Sequence, residues 1–334
     1  MRKNINIEVL RCLAIIAVIL IHNSAPYFVD NSLIHKDILG WGVIYFYYTM
    51  SRFCVPVFFI IGAYLYFTSN KPFQYMKRAR RLLLPFFAWS VIYWYFLNPH
   101  IWDTFWGILN SPRVYHLWFL YIFIGYSFLL PLLLSFAKNA DKNEYKPTII
   151  LIFTFAIILP SLYHFLVLFG IKIAPISGFY FDLPAYLVFA LAMPFILKKI
   201  KMIYSIALYS ALIIINMILA MVSTYQKRSF SDYWFTDTTF FVFTSSLVLF
   251  NLFINADLSF IQGKLAWLVY KIGECSFGIY LCHVLVTEAL FRMNICYFGS
   301  AIVGPIINTL IVFGASFIFC FGCSYLKYIR AILL

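Results

Sequence analysis

The sequence predicts an all-α polytopic membrane protein: about ten transmembrane helices forming a single domain over residues 1–334, with both termini cytoplasmic. Three observations predict it. Only 11% of the residues are charged and 64% are hydrophobic, with a mean hydropathy of +0.90; soluble domains carry roughly 25% charged residues. The apolar runs continue for about 20 residues, enough for a helix to cross a bilayer, without the period-two alternation of a barrel strand. The basic residues are distributed unevenly along the chain, and that asymmetry sets the orientation.

The spans read approximately 5–24, 42–67, 82–97, 117–137, 147–167, 182–198, 203–222, 236–254, 272–291 and 301–326. The first follows "MRKN" and ends near "NSA", as a signal peptide does. Its apolar run nevertheless carries Arg11, continues to His22 and precedes nine further spans, so it is expected to remain as a helix. The second holds Arg52 near mid-membrane. The third is short and begins inside "KRARRLLLP". The fourth opens on "HLWFLYIF", after a Trp- and Tyr-rich stretch, "NPHIWDTFWGILNSPRVYH". The fifth and the short sixth follow without charged interiors. The seventh and eighth flank "STYQKRSFSDYWF", a second aromatic stretch. Both stretches read as aromatic belts at the headgroup level, with sugar-stacking platforms the alternative. The ninth contains "CSFGIYLCH" and Glu288, and the tenth carries Cys320 and Cys323.

With the N-terminus inside, 17 of the 25 Lys and Arg residues fall on cytoplasmic pieces and 6 on outer pieces; Arg11 and Arg52 lie within spans. The formal charge of +13 is therefore mostly a topological signal, and no nucleic-acid partner is implied. The seven cysteines all sit in or beside apolar runs, where they read as small packing residues rather than redox or metal groups. No metal is expected. No nucleotide-binding glycine pattern, hydrolase elbow or HExxH helix is present.

Two ionisable residues in the first span stand out. Eleven steps separate Arg11 from His22, and at about 100° per residue they return to within roughly 20° of the same stripe, about 16 Å apart along the axis. Intramembrane charge is costly and normally faces a protein interior or a wet cavity. Histidine titrates near neutral pH and can accept or give a proton there, so His22 is a candidate base with Arg11 as companion. Arg52 needs a partner, and Glu8, Glu274 and Glu288 are the acids closest to or inside spans. Glu288, at a depth similar to that of His22, reads as a residue that orients the imidazole or pairs with Arg52, and Glu8 as one that neutralises Arg11. Arg78 and Arg81 share a helix face, and a guanidinium pair so placed can grip phosphate oxygens; membrane anchoring by charge alone is the alternative.

These residues resemble the acyltransferase-3 family of integral-membrane acyltransferases, whose members modify surface polysaccharides and other exported acceptors. "RCLAIIAVILIH" is similar to its Arg-x10-His signature, and "SRFCVPVFFIIGAYL" to its second-helix block, with Ile61 where the family usually has serine. "KRARRLLLP" is similar to its Arg-x-x-Arg block, "HLWFLYIF" to its His-Leu-Trp-Phe block, and "CSFGIYLCH" to its late Ser-x-x-x-Tyr-Leu-x-His block. The compact length, without a large appended domain, looks closest to the enterobacterial-common-antigen O-acetyltransferase subgroup.

The resemblance implies a cytoplasmic acyl-CoA donor, most often acetyl-CoA, and an acceptor hydroxyl on a surface glycan or its lipid-linked precursor in a bacterial inner membrane. It implies His22 as the catalytic histidine, Arg11 as its companion and Arg78 and Arg81 as the grip on donor phosphates. His116, Trp118, Tyr280 and His283 match further blocks as supporting residues. The competing expectations are a transporter or flippase for a glycan or lipid intermediate, and a glycan polymerase, for which the large outer loop is missing.

Overall fold

A computed structural model describes residues 4–29, 37–69, 71–97, 112, 114–171, 185–296 and 299–333. Among them there is no strand, and eight helical segments are long and apolar enough to cross a membrane. The chain is an all-α polytopic membrane protein.

Helix α1 (Ile5–Ser24) starts on Asn4, whose side chain accepts from the Asn6 amide, and twelve of its 20 residues are buried. It is the central element. Around it pack α2 (Ile38–Ser51), α3 (Cys54–Phe67), α8 (Phe240–Asn255), α9 (Gly263–Arg292) and α10 (Gly304–Cys323). Polar side chains fix its two ends, where an apolar surface alone allows sliding. Asn6 Nδ2 donates to the carbonyls of Phe253 and Ala256 at 2.8 Å each, and Asn23 Nδ2 donates to Thr309 Oγ1 at 3.3 Å. In a low-dielectric interior each such bond has few competitors, so it specifies register as well as adding stability.

The expected second span is one helical segment, Ile38–Phe67, bent into two helices. The chain turns at Arg52 and Phe53 between α2 and α3, and the Arg52 amide bonds back to the Thr49 carbonyl at 3.2 Å. Pro56 is the physical reason. It has no N–H to offer the Arg52 carbonyl four residues back, and in a continuous helix its ring would clash with that carbonyl.

Helix α4 (Tyr75–Leu97) begins two turns before the expected third span and carries the arginine block on its first turns. At 23 residues it is long enough to span, although its cations make it too polar to count among the eight segments. Helix α5 (Trp118–Asn139) follows a single 3-10 turn at Tyr115–Leu117. Helix α6 (Lys142–Leu168) contains a π turn at Thr154–Ile158. Within the expected sixth span, the described residues form two short helices, Leu187–Leu191 and Met193–Ile196, packed against α3 and α5. Pro194, near the start of the second, suits the break. Helix α7 (Met202–Lys227) packs along α8, and α11 (Lys327–Leu333) lies against α4.

The first Trp- and Tyr-rich stretch lies, apart from residues 112 and 114–116, outside the described residues. The second is divided: Tyr225 is exposed, as a belt residue is, while the end of the stretch packs inward. Trp234 and Phe235 are buried, Trp234 Nε1 donates to Ser223 Oγ at 2.7 Å, and Phe235 meets Tyr48 edge-on. The cysteines are free thiols in packing positions, with Cys282 and Cys320 in van der Waals contact at 3.7 Å.

Candidate active site

Five cations gather at one mouth. Arg11 of α1, Lys71 of the turn after α3, and Lys77, Arg78 and Arg81 of α4 line a cavity of about 460 Å³ between α1, α3, α4, α5 and α9. Arg78 reaches inward: its Nη2 donates to Ser127 Oγ at 3.1 Å, while its Nε is buried without a partner. An unsatisfied buried donor on a cation costs more than a neutral one, so it marks a place where an acceptor is missing. Arg81, three residues on, is exposed at the mouth. The deeper walls are apolar: Phe58, Ile61, Gly62, Phe119 and Phe123 line them, and Tyr280 lies at the inner side. Ile61, which occupies the place of the family's serine, is thus a lining residue.

Arg11 is held by Glu8 at 3.0 Å, one turn before it on the same helix. Of the two roles open to Glu8, the structure assigns the neutralising one. Glu8 fits because α9 presents Gly273 to it; a Cβ there would lie 2.0 Å from Glu8 Oε2.

His22 sits at the other end of α1, half-buried, among rings drawn from two elements. The His283 ring of α9 stacks on it at 5.2 Å, the His116 ring of the 3-10 turn lies at 6.4 Å, and Tyr115 meets it edge-on at 5.0 Å. His116 and His283 are 5.1 Å apart. The cavity comes within one ring of this cluster, because Tyr280 contacts His116 at 5.6 Å and its hydroxyl donates to the His116 carbonyl. Among the described residues no group of three or more His, Cys, Asp or Glu side chains is arranged to hold a metal ion.

Two expected partnerships are corrected. Glu288 does not approach His22 or Arg52; its carboxylate is partly exposed and held by Arg292 at 2.8 Å, one turn on, where water stabilises both charges. Arg52 pairs with none of the three expected acids, since Glu8 holds Arg11, and Glu274 meets Lys271 at 3.1 Å. Its guanidinium lies over the Tyr48 ring at 4.0 Å and near Phe235 at 5.4 Å, within electrostatic reach of both Asp237 and His22. Asp237, buried just ahead of α8, accepts from the Tyr186 hydroxyl at 3.3 Å. The sequence signal for it was weak: an acid at the very start of the expected eighth span, next to an aromatic turn. Trp118, at the start of α5, packs against the core.

The acyltransferase-domain model of the acyltransferase-3 family matches residues 4–325, nearly the whole chain. The chain belongs to the acyltransferase-3 family. No curated protein and no solved structure matches it. The protein is an acyltransferase of this family, with a basic cavity mouth, an apolar interior and imidazoles one ring beyond it.

Proposed function

We propose that this acyltransferase moves an acetyl group from cytoplasmic acetyl-CoA to a hydroxyl of a surface polysaccharide or its lipid-linked precursor, in a bacterial inner membrane. One observation carries the reading: the cavity joins a cluster of cations to an apolar interior that ends against Tyr280 and the imidazole cluster. CoA has that polarity along its length. Its phosphates match Arg78, Arg81 and the lysines at the mouth, and its pantetheine arm is slender enough for the lining of Phe58, Phe119 and Phe123. The thioester would then lie near Tyr280.

A sugar hydroxyl is a poor nucleophile, and His22 takes its proton as the oxygen attacks. Tyr115 meets the His22 ring, Arg52 lies over Tyr48 within electrostatic reach of His22, and these groups suit an acceptor rich in hydroxyls. Arg11 acts at the donor end: it lines the cavity, and its pair with Glu8 limits the surplus positive charge.

The test is CoA binding by calorimetry on the purified protein, joined to acetyl transfer. Two charge-assisted contacts are worth about 1.5–3 kcal/mol each, so Arg78→Ala with Arg81→Ala should weaken CoA binding by at least about 10-fold. His22→Ala should keep CoA affinity and lose transfer. Unchanged CoA affinity in the double variant would remove the arginines from the donor site. A wild-type protein that binds no CoA would instead favour a glycan or lipid carrier.

A further inference from the structure

Cations at a cavity mouth select for phosphate and for nothing else in a donor. The mouth that suits acetyl-CoA would equally take the phosphopantetheine of a carrier protein, which has a phosphate and the same slender arm. What distinguishes the two donors is the adenine of CoA, a flat base with a hydrogen-bonding edge. On the functional reading above, with the pantetheine arm pointing inward, that base lies at the outermost part of the cavity, beyond the phosphates.

We propose that Phe73 and Gln74, on the turn between α3 and α4, form a purine-base subsite: the base stacks on the Phe73 ring and its edge meets the Gln74 amide. Both residues line the cavity at its cation-rich mouth. Phe73 is half-buried and belongs to none of the hydrophobic cores among the described residues. Two rings brace it at steep angles, Tyr66 at 5.3 Å and 82° and Tyr75 at 4.5 Å and 69°. Among the described residues no ring stacks flat on it. A purine supplies the flat partner, and base–aromatic stacking adds affinity without depending on charge.

Position along α4 sets the order of groups. The Gln74 carbonyl accepts from the Arg78 amide at 3.0 Å, so Gln74 stands one turn ahead of Arg78, about 6 Å along the axis. Gln74, Arg78 and Arg81 follow at spacings of four and three residues, and all three line the cavity. In CoA the ribose separates the base from the diphosphate by a comparable length. Lys71 and Lys77, on either side of Phe73 in the chain, also line the mouth and suit the ribose phosphate. The Gln74 side chain bonds to no described residue, so its amide offers both a donor and an acceptor, the pair that an adenine edge requires. The turn is fixed by its own bonds: the Lys71 amide donates to Ser69 Oγ and the Ser69 amide to the Tyr66 carbonyl, each at 3.1 Å. Packing alone gives no reason for an amide and two lysines beside an aromatic ring at a cavity mouth.

The experiment measures competition against radiolabelled acetyl-CoA on the purified full-length protein. The competitors are CoA, phosphopantetheine and etheno-CoA, in which the edge of the base is blocked while the phosphates and the arm are kept. Phe73→Ala should bind CoA about 10-fold more weakly, the range of base–aromatic stacking, and phosphopantetheine within about threefold of wild type. Phe73→Tyr, which keeps the ring, should keep the affinity for CoA. The wild type, which needs no variant to fold, should prefer CoA to etheno-CoA by about 5-fold or more, and Gln74→Ala should lose that preference. A Phe73→Ala protein that binds CoA as the wild type does, or that loses both ligands equally, would overturn the subsite. So would a wild type that binds CoA and etheno-CoA alike; each of these results leaves the functional reading standing. A wild type that binds no CoA would overturn that reading, and the subsite with it.

Discussion

Glu8 can stay beside Arg11 only because position 273 carries a hydrogen. A methyl group there would lie 2.0 Å from Glu8 Oε2 and 3.1 Å from Glu8 Cδ, so the carboxylate would have to leave its present place, with α1 and α9 packed against each other. Gly273→Ala should therefore cost about 1–3 kcal/mol through overpacking and displace Glu8 from its pair. The expected readouts are a lower thermal midpoint of the purified protein and an altered affinity for CoA; an unchanged midpoint would mean that Glu8 swings away freely. At this scale the sequence was partly legible. The eleven-residue spacing placed Arg11 and His22 on one stripe because helical periodicity is local, and the structure puts them at the cavity and the imidazole cluster respectively. Asp237 and the true partner of Glu288 were not legible. Both depend on which turn meets which helix, and Arg292, one turn from Glu288, offered a local solution that competed with the long-range one.

At the scale of elements, the break between α2 and α3 is the feature that brings Arg52 to His22. A proline inside a helix costs about 3 kcal/mol because it removes a hydrogen bond and clashes with the preceding turn; the chain avoids that by bending at Arg52. Pro56→Ala should remove the need for the bend. The expected result is stability equal to or above wild type with acetyl transfer lowered at least about 10-fold, since stability gained at a functional bend is often offset by lost activity. Full activity in that variant would show that the bend is held by packing alone. Hydropathy gave an unbroken span over 42–67 because it averages across such a bend, although Pro56 stood in plain view. The same averaging hid the division at Pro194 in the sixth span. It set the third span's start at 82, because the cations that cover the first turns of α4 are too polar for a hydropathy window yet entirely compatible with a helix.

For the whole molecule, one arrangement organises the rest: a central α1 with cations at one end and imidazoles at the other, and a cavity that starts at the first and stops one ring from the second. Fold class was legible from composition, because a chain with 11% charge and long apolar runs has few alternatives to a helical membrane bundle. The cavity was not, since its walls come from five helices and its volume depends on their packing. On the proposed function the donor enters from the cation-rich side. The direct measurement supplies radiolabelled acetyl-CoA to sealed vesicles of known orientation and counts the acetyl groups that reach the endogenous glycan. Transfer is expected when acetyl-CoA faces Arg78 and Arg81, with little or none when it faces the opposite surface. Equal transfer from either side, or transfer only from the side opposite the arginines, would contradict it.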